Sequence, residues 1–489
     1  MLLRCFPVCR YFRVFAFLAF FILLPPFRPA AQEPSGEGFA VSAGGETSGR
    51  AAVPETDPEN AGGQTRGRNV VLGLVESQFT NALLHVVNRA AGNDFASVTA
   101  GSIRDNFTRP WQWDQSLFRT NQLGHPYQGV FYHQAGRANN WTFYESAGNA
   151  VLGSAVWEVF CERSRASLND LIITATGGAV MGEALHRLYY AAENLPGALR
   201  FFLSPFDFFN PVLPGNRTNR PRGELHTLDA VFGLSAGMSG RSGPESSRVG
   251  GNFSFGGSAV LRLVYSDPFT AYVPLSDPFR HFEMTVMADI GWPVYQLSVF
   301  TSGSLYAYPF AAGNNTEGTL GLSLRYDVVL GDTVSFSGTS LDFAFHSRTA
   351  TRAGNLDWKL HAGWLVLGAA NTYYPLPDFS GWDKKEFQLY GTGANLKLSA
   401  GITGTAAGDF RLDAALYFMP LIEAGYSGWG DTLFFFQGGF GYDFPLTEHL
   451  ILSFSTTHSF SLERFRARRD ISEYASVFRL GAGYRFQAE

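Results

Sequence analysis

The sequence predicts a mainly β chain: a transmembrane antiparallel β-barrel of about twelve strands, preceded by a small α-helical domain. Three observations lead to that class. Aromatic residues make up 15% of the 489 residues, yet charged residues make up only 16%, well below the usual quarter. From about Leu225 to the end, apolar residues recur at every second position, the spacing of strands with one apolar face. About twelve such segments can be counted, an even number, as bacterial membrane barrels have.

Taken in order, residues 1–31 read as a secretory signal peptide. Arg4, Arg10 and Arg13 precede the apolar run Val14 to Leu24, and the small residues Ala30 and Ala31 follow. That run is shorter than the roughly 20 residues a spanning helix needs. An uncleaved anchor is the alternative, because Pro25 and Pro26 interrupt the pattern. Residues 32–68 are rich in Gly, Glu, Ser, Pro and Ala and almost without large apolar side chains. Such a segment buries too little surface to offset its ordering entropy, so a disordered linker is expected. Cys5 and Cys9 leave with the signal, and Cys161 alone cannot form an intrachain disulfide.

Residues 69–214 form the expected helical domain, with helical periods near 74–91, 145–162 and 169–193. In the last of these, Ser167 or Asn169 can cap the helix, and Asp170 suits its first turn. Leu171, Thr174, Gly177, Gly178, Met181 and Gly182 share one broad face. Glycines on a helix face let another backbone come close, and the expected partner is the preceding helix, Ser146 to Cys161. Glu183 and Arg187 sit one turn apart elsewhere on the helix. They are readable as a solvated ion pair, as part of a buried polar network reaching the extended segment around His125, or as part of a site. The residues named for such a network are Tyr127, Arg137, Asn139, Glu145, Asn169, Asp170 and Arg187. His125, Glu158 and Glu183 are the candidate acid/base groups.

The same region carries a family resemblance. Trp111, Trp113-Asp114, Asn121-Gln122, His125-Pro126-Tyr127, Gly129, Arg137-Ala138-Asn139, Glu145-Ser146, Trp157-Glu158, Glu162, Asn169-Asp170, Thr174, Gly177-Gly178, Gly182-Glu183 and Arg187 resemble a bacterial domain-of-unknown-function family, numbered 3943. The resemblance covers roughly Asn106 to Arg187 and departs at Gly136, where alanine is expected before Arg137. It brings no assigned activity with it.

Residues 215–489 are the expected barrel. Strands are placed near 225–238, 250–265, 279–290, 295–307, 319–330, 333–345, 356–367, 387–399, 409–418, 432–442, 449–462 and 474–486. Leu320, Leu322, Leu324, Tyr326, Val328 and Leu330 illustrate the apolar face. The opposite face carries Arg262, Asp289, Arg325, Asp327, Lys359, Arg411, Asp413 and Arg485, which suits a polar lumen. Tyr265, Tyr326, Phe418, Tyr442, Tyr484 and Phe486 end the apolar faces as aromatic girdles do. Phe201 to Phe209, just ahead of the barrel, reads as an interfacial anchor.

The expected function is that of an outer-membrane protein whose helical hairpin is periplasmic or fills the lumen as a plug. Its role would be envelope structure or restricted transport. The alternative is an outer-membrane enzyme acting on lipid or cell-wall material through His125, Glu158 and Glu183. Outer-membrane lipid, the barrel-assembly machinery and a periplasmic partner of the helical domain are the expected partners. A net charge of -5 with no basic run gives no footprint for nucleic acid. No cofactor is expected, and without a tight ligand motif such as HExxH no metal is expected either.

Overall fold

The computed structural model describes residues 67–213, 218–243, 251–292, 295–372, 387–422 and 430–488. The expected signal peptide and all but the end of the expected linker fall outside them. Twelve strands close into one antiparallel barrel, each pairing with its neighbours in sequence and the last with the first. They are β1 (Leu225–Ser242), β2 (Asn252–Tyr265), β3 (Phe282–Trp292), β4 (Tyr295–Ala312), β5 (Thr316–Gly331), β6 (Phe336–Thr351), β7 (Gly354–Thr372), β8 (Phe387–Thr403), β9 (Asp409–Pro420), β10 (Thr432–Pro445), β11 (Leu450–Arg464) and β12 (Ile471–Gln487). Every expected strand falls on an observed one. Several run longer than their apolar stretch, because ladder pairing continues through polar pairs such as Glu317 with Arg348.

Alternation assigns the two faces. Arg325 and Asp327 point inward, while Leu320, Leu322 and Tyr326 point outward, and the register aligns Leu263, Met284, Thr301, Tyr326, Thr339 and Leu367 in one outward row. Over β9 to β12 and β1 the outward side chains are bare: Leu412, Leu480 and Leu234 are 61%, 57% and 58% exposed.

The lumen is not an open polar channel. Towards the end where β1 begins, called here the terminal end, charges meet across it. Arg262 of β2 binds Asp443 of β10 at 2.9 Å there, and at mid-height Arg479 of β12 binds Asp289 of β3 at 2.6 Å. The opposite, far end is filled by apolar inward side chains, with Phe336 of β6 stacked on Phe435 of β10 at 4.2 Å between ring centroids. At the terminal mouth Phe269, from the β2–β3 loop, lies under the inward Arg348 guanidinium at 4.1 Å. A chamber of about 300 Å³ remains in the lumen, lined from Thr227 and Glu283 at the terminal end to Arg325 and Lys397 at mid-height.

Among the described residues seven α-helices precede the barrel: α1 (Val70–Ala90), α2 (Ala100–Thr108), α3 (His125–Arg137), α4 (Phe143–Val156), α5 (Leu168–Ala191), α6 (Gly197–Leu203) and α7 (Pro205–Phe209). A π-turn leads into α3 and another extends α4 to Cys161. The segment around His125, expected to be extended, is helical. Pro126 follows the π-turn inside a continuous helical run, and the Gln122 carbonyl four residues before it accepts from the Tyr326 hydroxyl instead of from an N–H at 126.

The expectation of a lumen-filling hairpin is corrected. The helices pack on the outside of the wall: the Tyr326 hydroxyl donates to the Gln122 carbonyl, Thr176 Oγ1 to Thr339 Oγ1 at 3.3 Å, and Asn169 Nδ2 to the Tyr390 hydroxyl at 3.1 Å. All three strand residues face outward. Strand side chains already fill much of the lumen, whereas the outward row offered an apolar wall for α5. This helix descends from Tyr390 at the far end to the loop residue Asp277 at the terminal end, along the whole height of the barrel. The cover is diagonal: it buries Met284 and Val286 near the terminal end and Val328 towards the far end, leaving Leu320 and Leu322 bare.

Candidate functional site

Glycines decide how the helices meet. The glycine face of α5 packs on α3, not on the preceding helix α4 as expected. A β-carbon on Gly178 would lie 2.5 Å from Gly129 Cα, and one on Gly182 would lie 3.0 Å from His133 Cβ. Gly136, where the family resemblance expects alanine, presses on Ser146 of α4, leaving 2.6 Å between an added β-carbon and its Oγ. Close backbones interleave side chains one turn apart on each helix, His133 and Arg137 on α3 with Glu183 and Arg187 on α5.

Glu183 is wholly buried at their centre. Arg187 Nε donates to its Oε1 at 2.9 Å and Arg137 Nη2 to the same oxygen at 3.2 Å. Arg137 Nε lies 2.7 Å from Oε2, and His133 Nε2 lies 3.0 Å from it. Arg187 then ties the bundle to the barrel rim. Its Nη2 donates to Asp277 Oδ1 at 2.7 Å and to the Pro278 carbonyl at 2.8 Å, and its Nη1 to the Arg222 carbonyl at 2.8 Å. Burial alone would raise the Asp277 carboxyl; Arg187 and the bond from Arg280 hold it below its usual range. A carboxylate gripped by two guanidiniums is an anchor, poorly suited to exchanging protons.

The other candidates gather at the opposite end of α5. His125 Nε2 stands 3.9 Å from Asp170 Oδ2. Glu158 accepts from the Ser167 backbone at 2.8 Å. Asn169 accepts from the Asp114 backbone at 2.7 Å and donates to Asp170 at 2.8 Å. Asp170 and Glu183 are thirteen residues apart on one helix, about 20 Å at 1.5 Å per residue. His125 and Glu158 therefore do not meet Glu183 in one site. The remaining residues are dispersed. Asn139 donates to Glu76 of α1 at 2.7 Å, Glu145 closes the capping box of α4 with Thr142, and Tyr127 sits edge-on to Phe131.

A second arrangement went unnoticed in the sequence. His186, 1% exposed, places Nδ1 2.6 Å from Asp207 Oδ2 in α7. Asp207 is fully buried and also accepts from Ser204 Oγ at 2.6 Å and from the Tyr190 hydroxyl at 3.0 Å. The imidazole forms part of the wall of a cavity of about 190 Å³, with Arg137, Trp141, Arg220, Arg222 and Asp277. His186 lies on the same helix as Glu183, but nothing in the sequence spacing points to Asp207, whose aromatic surroundings read as an anchor.

Residues 110–199 match the family model described as "Domain of unknown function (DUF3943)". The matched segment supplies α3, α4 and α5, and so both the Glu183 cluster and His186; Asp207 lies beyond it. No curated protein matches the chain. Among solved structures, the NanC porin is 10% identical, covering 50% of this chain and 98% of that one at a TM-score of 0.21. A Pseudomonas aeruginosa FadL homologue is 11% identical, covering 53% and 90% at 0.23. The outer membrane protease OmpT from Escherichia coli is 9% identical, covering 54% and 97% at 0.19. The barrel assignment rests on the strand pairing itself.

Proposed function

We propose that this is an outer-membrane protein of the cell envelope, a barrel with a shut lumen whose helical bundle lies beside it in the same lipid layer. One observation carries the reading: the bare apolar surface of the barrel continues across the bundle. On α1 the exposed residues from Val70 to Val87 include Val71, Val75, Phe79, Leu83 and Val86, and none in that stretch is charged. On α4 they include Tyr144, Val151 and Leu152, with Phe160 in the following turn. In water so large an apolar surface would drive association; among acyl chains it is at rest. The 21 residues of α1 span about 31 Å, close to the ~30 Å of a bilayer's hydrocarbon core. Because α5 runs the height of the wall, a barrel that crosses a bilayer carries the bundle into it.

The closed lumen favours an envelope structural role over free diffusion through a pore. Insertion by the barrel-assembly machinery is proposed on the aromatic last strand, with Tyr484 and Phe486 near its end. The enzymatic alternative is weakened by the separation of His125 and Glu158 from Glu183.

The test is cysteine accessibility in isolated outer membranes. Val75→Cys and Leu412→Cys should both resist a membrane-impermeant maleimide, while a cysteine in the loop at Thr405 reacts. Rapid labelling of Val75→Cys, with Leu412→Cys protected, would overturn the placement of the bundle in lipid.

A further inference from the structure

The cavity beside His186 is built from four separate parts of the chain: the end of α3, the turn after it, α5, and the segment leading into β1, with the rim loop closing it through Asp277. Three guanidiniums contribute to its lining: Arg137, which is already held by Glu183 and the Trp141 carbonyl, Arg220, which is exposed and also pairs with Glu193, and Arg222. The acid among them, Asp277, is already engaged by Arg187 and Arg280, each at 2.7 Å. His186 adds a ring fixed from behind. With Nδ1 on the Asp207 carboxylate, Nε2 is the nitrogen left to meet an occupant. Arginine forks match the oxygens of phosphate.

We infer that this cavity binds a phosphate group, that of a membrane phospholipid headgroup. Its position selects the lipid over free phosphate. Trp141 lines the cavity and donates Nε1 to the Asn69 carbonyl, the residue that caps α1. The bare apolar face of α1 therefore begins beside the cavity with Val70 and Val71. A headgroup held by the arginines and His186 could lay its acyl chains along that face. The assignment rests on the proposal that the bundle shares the bilayer.

The test is calorimetric titration of the full-length protein in a non-ionic detergent, so the outcome does not depend on where the protein resides in the cell. Short-chain phosphatidic acid, the matching diacylglycerol and inorganic phosphate serve as probes. Phosphatidic acid should bind, diacylglycerol should not, and inorganic phosphate should compete weakly. Arg220→Gln with Arg222→Gln should weaken binding at least tenfold, as should His186→Gln. The arginine pair keeps the interpretation secure should the buried histidine variant not fold. Binding of inorganic phosphate as tight as that of phosphatidic acid would overturn the lipid assignment. Absence of binding by either phosphate probe, or binding unchanged in the arginine variant, would overturn the site. Failure of the membrane reading would appear separately, as labelled Val75→Cys.

Discussion

Gly129 of α3 and Gly178 of α5 stand in backbone contact: a β-carbon on Gly178 would come within 2.5 Å of Gly129 Cα, and one on Gly129 within 1.9 Å of the Thr174 carbonyl oxygen. Neither neighbour is a side chain that can swing away. Gly178→Ala should therefore force the helices apart and cost about 1–3 kcal/mol, the range of core overpacking, despite alanine's better helix propensity. Gly148→Ala, where an added β-carbon meets nothing within 4 Å, should be neutral or slightly stabilising. Thermal unfolding in detergent, followed by helical circular dichroism, compares the two. Equal midpoints would contradict the close packing.

Glu183→Gln keeps the shape of the side chain but removes the charge shared by Arg137 and Arg187. Breaking one side of a buried ion pair typically costs about 3–5 kcal/mol. The variant should lose bundle helicity at lower temperature while the barrel keeps its heat-modifiable shift on gels. Simultaneous loss of both would mean that bundle and barrel melt as one unit.

Asp277 gives a signed pH dependence. Its carboxyl is held below the ordinary range in the folded protein, so the folded state binds its proton less readily than the unfolded chain. The stability this contributes is present above the unfolded value of about 3.9 and is lost as pH falls through the lower folded value. The stability difference between wild type and Asp277→Asn should be constant from pH 7 to about 5 and shrink below about 3.9. A difference already lost by pH 5 would contradict the pairing with Arg187.

Phe336 of β6 and Phe435 of β10, four strands apart, stack over the far end of the lumen. Replacing both with alanine removes two stacked rings from the far-end closure, and each truncation costs about 3–5 kcal/mol in a well-packed core. In planar bilayers the wild type should give no stepwise conductance, and the double variant should give brief, small steps. Large steady conductance from the wild type would refute a shut lumen.

The strands were legible because the backbone enforces a period of two wherever one face of a sheet is apolar, as along Leu320 to Leu330. Where the helices dock was harder to read, since an outward row looks alike whether lipid or protein covers it. A signal was nevertheless present. Thr301, Ser337, Thr339 and Gln388 interrupt the lipid-type row, and all four are buried beneath the bundle. The helix α3 escaped notice because Gly129, His133 and Gly136 make its contacts, leaving no apolar period to count. Glu183 and Arg187 were visible as a pair, but their partner Asp277 lies ninety residues from Arg187, a distance only folding removes. His186 and Asp207 meet through the turn and short helices after α5, which no local spacing encodes.

With the bundle beside the barrel in lipid, as proposed, the diagonal cover of the wall gives the molecule a front and a back in the plane of the membrane. Along β9 to β12 and β1, a neighbour would encounter sheet, with Leu412, Leu480 and Leu234 standing proud of it. On the other flank it would encounter the ridges of α1 and α4. Two copies approaching front to front would match flat surfaces, whereas front to back would set a sheet against a helix. Lateral crowding in an envelope would thus sort these molecules by rotation about the membrane normal.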